Sequence, residues 1–214
     1  MLIKLIAAAP PLLVAVILHE IAHGWAAEKL GDPTARSLGR ITVNPLRHAD
    51  PFLTLLLPGM LILAGSPVIF GGAKPVPVNP LYFKNPRRDM AYVALAGPVT
   101  NFVLAAICYI LLQSLTNSIV AFFVPPLILG LLALWLVHGV LINLVLGLFN
   151  LLPVPPLDGG RIAVGFLPIR AARAWARLEP FGLLIVIALL FSGVIEATLG
   201  PIVEHTAKHL LRFE

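Results

Sequence analysis

Charged residues are scarce in this chain. Only 12% of its 214 residues are Asp, Glu, Lys or Arg, 59% are hydrophobic, and the mean hydropathy is +0.96. Soluble domains carry about 25% charged residues, so the composition argues against a water-soluble fold. Residues 90–157 contain none of the four charged residue types. That stretch is long enough for two membrane crossings of roughly 20 residues each.

Cysteine is nearly absent as well. Cys108 is the single cysteine, which excludes an internal disulfide and a cysteine-rich zinc site. A metal bound by this chain must therefore take histidine and carboxylate ligands.

Acidic residues are fewer than basic ones, 10 against 15, and the net charge is +5. The basic residues cluster in short links between apolar runs, within residues 29–50, 74–89 and 161–177. This pattern is typical of cytoplasmic links under the positive-inside rule, whereas a nucleic-acid-binding protein gathers its charge on one face. We therefore expect a lipid bilayer around the protein and no nucleic acid partner.

Long apolar runs predict the helices. We predict helices over residues 2–30, 90–113, 121–152 and 180–200. The run from 52 to 70 is interrupted by proline and glycine, so it is either one kinked crossing or a re-entrant hairpin. Because basic links flank it on both sides, the positive-inside rule favours the re-entrant hairpin.

The link after the first helix carries a strand pattern. Residues 34–44 alternate between apolar and polar, and the β-branched Ile41, Thr42 and Val43 favour an extended conformation. We predict a short edge strand or β-hairpin here. The expected fold is an all-α, polytopic membrane bundle that forms a single domain over residues 1–214 and includes this strand.

The end of the first helix contains a metal-binding pattern. His19-Glu20-Ile21-Ala22-His23 fits H-E-x-x-H. Histidines four residues apart lie on one helical face and can bind one zinc ion, and the adjacent glutamate reaches the metal-bound water. Three such polar residues in one turn of an apolar helix require a polar partner or a water-filled cavity. The alternative is a pair of core histidines satisfied by hydrogen bonds.

A catalytic zinc takes three protein ligands and a water, so two histidines leave one ligand to be found. Asp158 is the first carboxylate after the two crossings that return the chain to the side where the first helix ends. Gly159 and Gly160 let the backbone approach closely there. The alternative is that Asp158-Gly159 is an ordinary turn dipeptide.

The segment around Asp158 matches a family motif. Asn150-Leu-Leu-Pro-Val-Pro-Pro-Leu-Asp158-Gly-Gly160 resembles the N-x-x-P-x-P-x-L-D-G-G motif of the site-2 protease family, the membrane zinc proteases of regulated intramembrane proteolysis. Ala96-Gly-Pro-Val-Thr-Asn101 is similar to the G-P-x-x-N segment of that family's middle core helix. The links at residues 39–45 and 75–80 extend the resemblance.

The resemblance implies a three-helix catalytic core at about residues 2–30, 90–113 and 121–160, in a minimal form without a PDZ or CBS domain. It also implies one Zn²⁺ ion. The implied roles are metal binding by His19, His23 and Asp158, general base catalysis by Glu20, and binding of substrate backbone or the developing oxyanion by Asn150.

Other polar residues are candidates for weaker roles. Asn101 either lines the substrate site or joins helices by a hydrogen bond. The predicted strand at Ile41, Thr42 and Val43 is expected to receive an unwound substrate segment by strand addition. His48 either approaches the metal or substrate from the link or is a solvated loop residue.

One more histidine pair has the four-residue spacing. His205 and His209 lie in a polar tail, and Glu204 precedes the first histidine instead of following it. We expect both to be surface residues.

The sequence therefore predicts a zinc metalloendopeptidase that hydrolyses peptide bonds of membrane-spanning substrates within or near the bilayer. We expect an integral, multi-pass protein of a prokaryotic cell membrane with its active site towards the cytoplasm, and leave a homo-oligomer open. The alternatives are a catalytically silent zinc-binding scaffold and a zinc transporter. Metal binding alone would not need Glu20, and residues 90–157 supply no polar relay for transport.

Overall fold

A computed structural model of the chain describes residues 2–56, 59–60, 63, 71–115 and 124–211. Within these residues the structure is helical and contains no strand. The α-helices are α1 (Leu2–Lys29), α2 (Thr34–Ser37), α3 (Pro86–Leu115), α4 (Pro126–Asn150), α5 (Asp158–Phe166), α6 (Ile169–Ala176), α7 (Gly182–Phe191) and α8 (Val194–Leu211). Short helical turns lie at Pro45–Arg47, Pro51–Leu56, Pro80–Tyr82 and Glu179–Phe181.

Four helical segments in the described part of the chain are long and apolar enough to cross a membrane. They are Ile6–Lys29, Pro86–Leu115, Pro126–Asn150 and Ile169–Phe191. The protein is therefore a multi-pass membrane protein. The helices predicted at 2–30, 90–113 and 121–152 correspond to α1, α3 and α4.

Helix α3 lies at the centre of the bundle. It packs against α1, α4 and α5, and α1 also packs against α4. Glycines allow the close approach of α3 and α4: a Cβ at Gly139 would lie 2.7 Å from Cys108 Sγ, and one at Gly147 would lie 2.9 Å from the Phe102 ring. Helices α1, α3 and α4 thus form a three-helix core.

The strand predicted over residues 34–44 is wrong. Thr34–Ser37 is the helical turn α2, and residues 41–43 form bends. The buried Asp32 explains the turn, because its Oδ1 accepts hydrogen bonds from the Thr34 amide at 2.9 Å and from the Thr34 hydroxyl. Such a local bond folds the backbone into a turn before any strand can pair.

The last predicted helix, over residues 180–200, is divided in two. Helix α7 ends at Phe191 and α8 begins at Val194. Gly193 lies between them with φ of +73°, the left-handed conformation that ends a helix. Residues 57–58, 61–62 and 64–70 lie outside the described residues, so the choice between a kinked crossing and a re-entrant hairpin stays a prediction.

Candidate metal centre

His19 and His23 lie one turn apart on α1 and direct their Nε2 atoms towards the same point. The two Nε2 atoms are 3.0 Å apart. Asp158 Oδ2 lies 3.2 Å from Nε2 of His19 and 3.3 Å from Nε2 of His23. The three side chains form a group that could hold a metal ion, so the structure brings together the three residues predicted as ligands.

Hydrogen bonds on the far side of each ring determine its tautomer. His19 Nδ1 lies 2.6 Å from Asn101 Oδ1, which is an acceptor because Asn101 Nδ2 donates to Asn143 Oδ1 at 2.9 Å. His23 Nδ1 donates to the Val93 carbonyl at 2.8 Å. Both neutral rings therefore carry their hydrogen on Nδ1 and present a lone pair at Nε2.

The group fits a zinc ion. Two imidazole lone pairs and a carboxylate converge on one point, and Asp158 Oδ2 is buried and accepts no hydrogen bond of standard geometry in the described part of the chain. A tetrahedral zinc with bonds of about 2.0–2.1 Å separates its ligand atoms by about 3.3 Å, close to the three observed distances. Two nitrogens and one oxygen leave a fourth position for water, as in catalytic zinc sites.

Glycine on α3 makes room for both imidazoles. A Cβ at Gly97 would lie 2.5 Å from His19 Cε1 and 2.5 Å from His23 Nε2. Real side-chain atoms do not approach this closely, so any larger residue at 97 would displace the rings. The Ala96–Asn101 segment thus contributes a space, at Gly97, and a hydrogen-bond acceptor, at Asn101.

The proline-rich segment between α4 and α5, residues 151–157, which we call the bend, places Asp158 beside the two histidines. Helix α4 ends at Asn150, and Asp158 is the first residue of α5, which packs against α3. A Cβ at Gly159 would collide with the Leu151 and Leu152 carbonyls, and one at Gly160 would lie 2.7 Å from the Pro155 nitrogen. The two glycines therefore let the start of α5 fold back onto the bend, which confirms the predicted close approach.

Glu20 is held by an extended segment that the sequence did not suggest as part of the site. Its Oε2 accepts a hydrogen bond from the Val76 amide at 2.8 Å. Val76 lies in residues 74–79, which run without helix or strand across the end of α1 and which we call the strap. The one available sequence signal was Pro75-Val-Pro77, which leaves Val76 as the only amide donor of the three.

The predicted substrate residues lie at two places. Asn101 is fully buried behind His19, so it joins helices, and a contact with substrate stays a prediction. Asn150 is at the end of α4, where its Nδ2 donates to the Leu146 carbonyl at 3.0 Å. Ile41 and Thr42 are half-buried in the bends of the link, and Val43 is exposed.

The other histidines lie apart from the metal group. His48 is neither solvated nor among the residues that could hold the metal: it is 3% exposed and its Nε2 donates to the Thr42 carbonyl at 2.7 Å. Its carbonyl also accepts a hydrogen bond from the Lys74 amide at 2.8 Å, which joins the link to the strap. His205 and His209 are exposed on α8, which confirms the prediction of surface residues.

A family model described as "Peptidase family M50" matches residues 7–193. The chain belongs to peptidase family M50. It is 37% identical over 204 residues to the Bacillus subtilis (strain 168) protein named "Putative zinc metalloprotease YwhC". This match covers 94% of this chain and 87% of the relative. It is 32% identical over 189 residues to the Mycolicibacterium smegmatis protein named "Putative zinc metalloprotease Rip2".

The Rip2 match covers 84% of this chain and 64% of the relative, so the chain spans less than two thirds of that protein's length. A more distant relative, "Zinc metalloprotease MJ0392" of Methanocaldococcus jannaschii, is 28% identical over 71% of this chain and 31% of its own length. No solved structure matches this chain. This M50 protein is thus a zinc metalloprotease whose metal group lies among membrane-length helices.

Proposed function

We propose that this M50 protein cleaves membrane-spanning proteins within or near the bilayer, with His19, His23 and Asp158 as zinc ligands and Glu20 as general base. The position of the metal group carries the proposal. His19 lies ten residues before Lys29, the last residue of α1, which is about 15 Å along the helix at about 1.5 Å per residue. Lys29 also ends the membrane-length segment Ile6–Lys29, so we propose that a substrate brings its peptide bond below the membrane surface.

The chain supplies the groups that peptide hydrolysis requires. Zinc, when bound, supplies a Lewis acid and lowers the pKa of water towards about 7. Glu20 takes a proton from the attacking water and returns it to the leaving amine. Asn150 binds substrate backbone or the developing oxyanion: one of its two amide hydrogens is bonded within α4, and the other, which has no partner among the described residues, can bond to the substrate.

A cavity of about 600 Å³, lined among others by Val76 of the strap and by Gly160, two residues after Asp158, has room for a peptide. The strap lines one side of it, and the bend and α5 line the other, including Pro155 and Gly160. A substrate helix hides its carbonyls in internal hydrogen bonds, so it must unwind before cleavage. We propose that the unwound segment enters this cavity and that Ile41, Thr42 and Val43 in the neighbouring link contact it.

Charge supports one orientation. The basic links that follow α1, precede α3 and follow the bend all lie at the end of the bundle where α1 ends. The positive-inside rule places such links in the cytoplasm. We propose that the active site opens towards the cytoplasmic side of the cell membrane, and a homo-oligomer stays open.

The test compares wild type with Glu20→Gln, both purified in detergent. Bound zinc is measured, and cleavage of a panel of single-span membrane peptides is followed. We expect equal zinc in both proteins and cleavage by wild type alone, because Gln keeps the shape but cannot accept the proton. Zinc without cleavage in either protein would support the silent scaffold, and equal cleavage would remove Glu20 from its proposed role.

A further inference from the structure

The strap approaches α1 closely enough to touch the turn that carries Glu20. Val76 is 8% exposed, and its side chain packs over Gly24, one turn beyond Glu20. A Cβ at Gly24 would lie 3.2 Å from Val76 Cγ1, 3.2 Å from Ile41 Cγ1 and 3.1 Å from Ala35 Cβ. The strap therefore occupies a groove that exists because residue 24 has no side chain.

Both ends of the strap are anchored by groups outside the metal centre. At the first end, the Lys74 amide donates to the His48 carbonyl at 2.8 Å, and the Lys74 carbonyl accepts from the Arg40 guanidinium at 2.7 Å. At the other end, the Asn79 amide donates to Asp32 Oδ2 at 2.6 Å. Arg40 and Asp32 are both buried, so these bonds are shielded from water.

Between the anchors, one amide reaches the metal centre. Pro75 and Pro77 have no amide hydrogen, so Val76 carries the only amide donor of residues 75–77, and that amide bonds to Glu20. A glutamate side chain has several rotatable bonds. A hydrogen bond from fixed backbone to Oε2 selects one of its conformations and leaves Oε1 to accept a proton.

We infer that the strap is a positioning element for Glu20, in which the Val76 amide orients the general base and Arg40 holds the strap in place. This inference rests on the proposed role of Glu20. Catalysis by a general base depends on its geometry relative to the proton that it accepts. The strap would therefore contribute to kcat without touching the zinc ligands.

The sharpest test removes one hydrogen bond donor. The α-hydroxy acid counterpart of valine at position 76 replaces the amide N–H by an ester oxygen and keeps the side chain. The matched control is the same replacement at Val78, whose amide makes no hydrogen bond within the described residues. We expect the ester at 76 to lower kcat roughly ten- to hundred-fold, with KM and bound zinc unchanged, and the ester at 78 to behave as wild type.

Substitutions of Arg40, which anchors the strap at Lys74, add a rescue experiment. Arg40→Met removes the donor to the Lys74 carbonyl and should lower kcat, whereas Arg40→Lys keeps a donor and should restore part of it. If the strap were only a structural support, these variants would lose zinc or fold poorly. If the strap only bound substrate, the ester at 76 would raise KM and leave kcat unchanged. Either of these two results would overturn the inference.

Hydrogen exchange in metal-free protein gives a readout independent of activity. Because Pro75, Pro77 and Pro80 carry no amide hydrogen, exchange between residues 74 and 80 comes from four amides only. Glu20→Ala should accelerate exchange at one of them, and Glu28→Ala, a change at a half-buried glutamate of the same helix that pairs with Arg36, should not. Unchanged exchange in Glu20→Ala would contradict the hydrogen bond itself.

The two proposals fail separately. If Glu20→Gln cleaves as well as wild type, the proposed function is wrong. If Glu20→Gln is inactive while the ester at 76 keeps the wild-type kcat, Glu20 is the base and only its orientation by the strap is refuted.

Discussion

His19 and His23 are oriented by atoms that do not belong to the metal group. Asn101 Oδ1 and the Val93 carbonyl accept the two Nδ1 hydrogens, and Asn143 in turn fixes the amide of Asn101. This arrangement keeps both Nε2 lone pairs directed at Asp158 before an ion binds. Partners of this kind typically contribute a factor of 10 to 100 in metal affinity.

Asn101→Ala should therefore weaken zinc binding roughly 10- to 100-fold without removing any ligand. Competition with a chelator of known affinity measures the change. Ser114→Ala is the control, because Ser114 is exposed on the same helix and, within the described part of the chain, its hydroxyl bonds only to the Ile110 carbonyl. Wild-type affinity in Asn101→Ala would mean that His19 is oriented by something else.

Gly97→Ala should abolish stoichiometric zinc binding, because the added methyl group would lie 2.5 Å from atoms of both imidazoles. Metal analysis of the purified protein tests this. Gly130→Ala on α4 is the matched change, since a Cβ there would meet no atom of the described residues within 4 Å. A Gly97→Ala protein with one zinc per chain would contradict the packing described for α1 and α3.

At the scale of elements, the junction between α7 and α8 depends on one glycine. Gly193 has φ of +73°, and an L-residue in that conformation costs about 1–2 kcal/mol. Gly193→Ala should lower the free energy of unfolding by about that amount. Gly130→Ala inside α4 should instead raise it by up to about 1 kcal/mol, because its Cβ meets no described atom within 4 Å.

Thermal unfolding in detergent compares the two variants. A Gly193→Ala protein as stable as Gly130→Ala would show that the two helices can join without the left-handed residue.

The sequence predicted the elements whose signal is long and apolar. Helices α1, α3 and α4 follow from runs with few or no charged residues, and the ligands on α1 follow from their spacing. The strand at Ile41–Val43 was wrong because β-branched residues favour strands only where a neighbouring strand can pair, whereas Asp32 turns the chain locally. The break at Gly193 was missed because glycine also occurs inside helices.

The contact between Glu20 and the strap could not be predicted from the sequence. It is made by a backbone amide, which every residue except proline possesses, across 56 residues of chain. Burial of His48 was missed for the same reason, since its acceptor is the Thr42 carbonyl. The position of Asp158 was predictable because two crossings return the chain to the same side.

At the scale of the whole molecule, topology determines where the metal group meets the aqueous phase. Ser37 follows α1 and Ser114 is near the far end of α3; both are exposed. In a Cys108→Ser background, a cysteine at 114 should react with a membrane-impermeant maleimide added outside intact cells, and a cysteine at 37 should react only after lysis. The reverse labelling would place the active site on the outer face.

The central claim is that His19, His23 and Asp158 share one zinc ion. X-ray absorption at the zinc edge on purified wild type tests it most directly. We predict two imidazole ligands and oxygen ligands at about 2.0–2.1 Å, no sulfur, and the loss of one imidazole in His23→Ala. A sulfur ligand, fewer than two imidazoles in wild type, or an unchanged oxygen shell together with unchanged affinity in Asp158→Ala would contradict the claim.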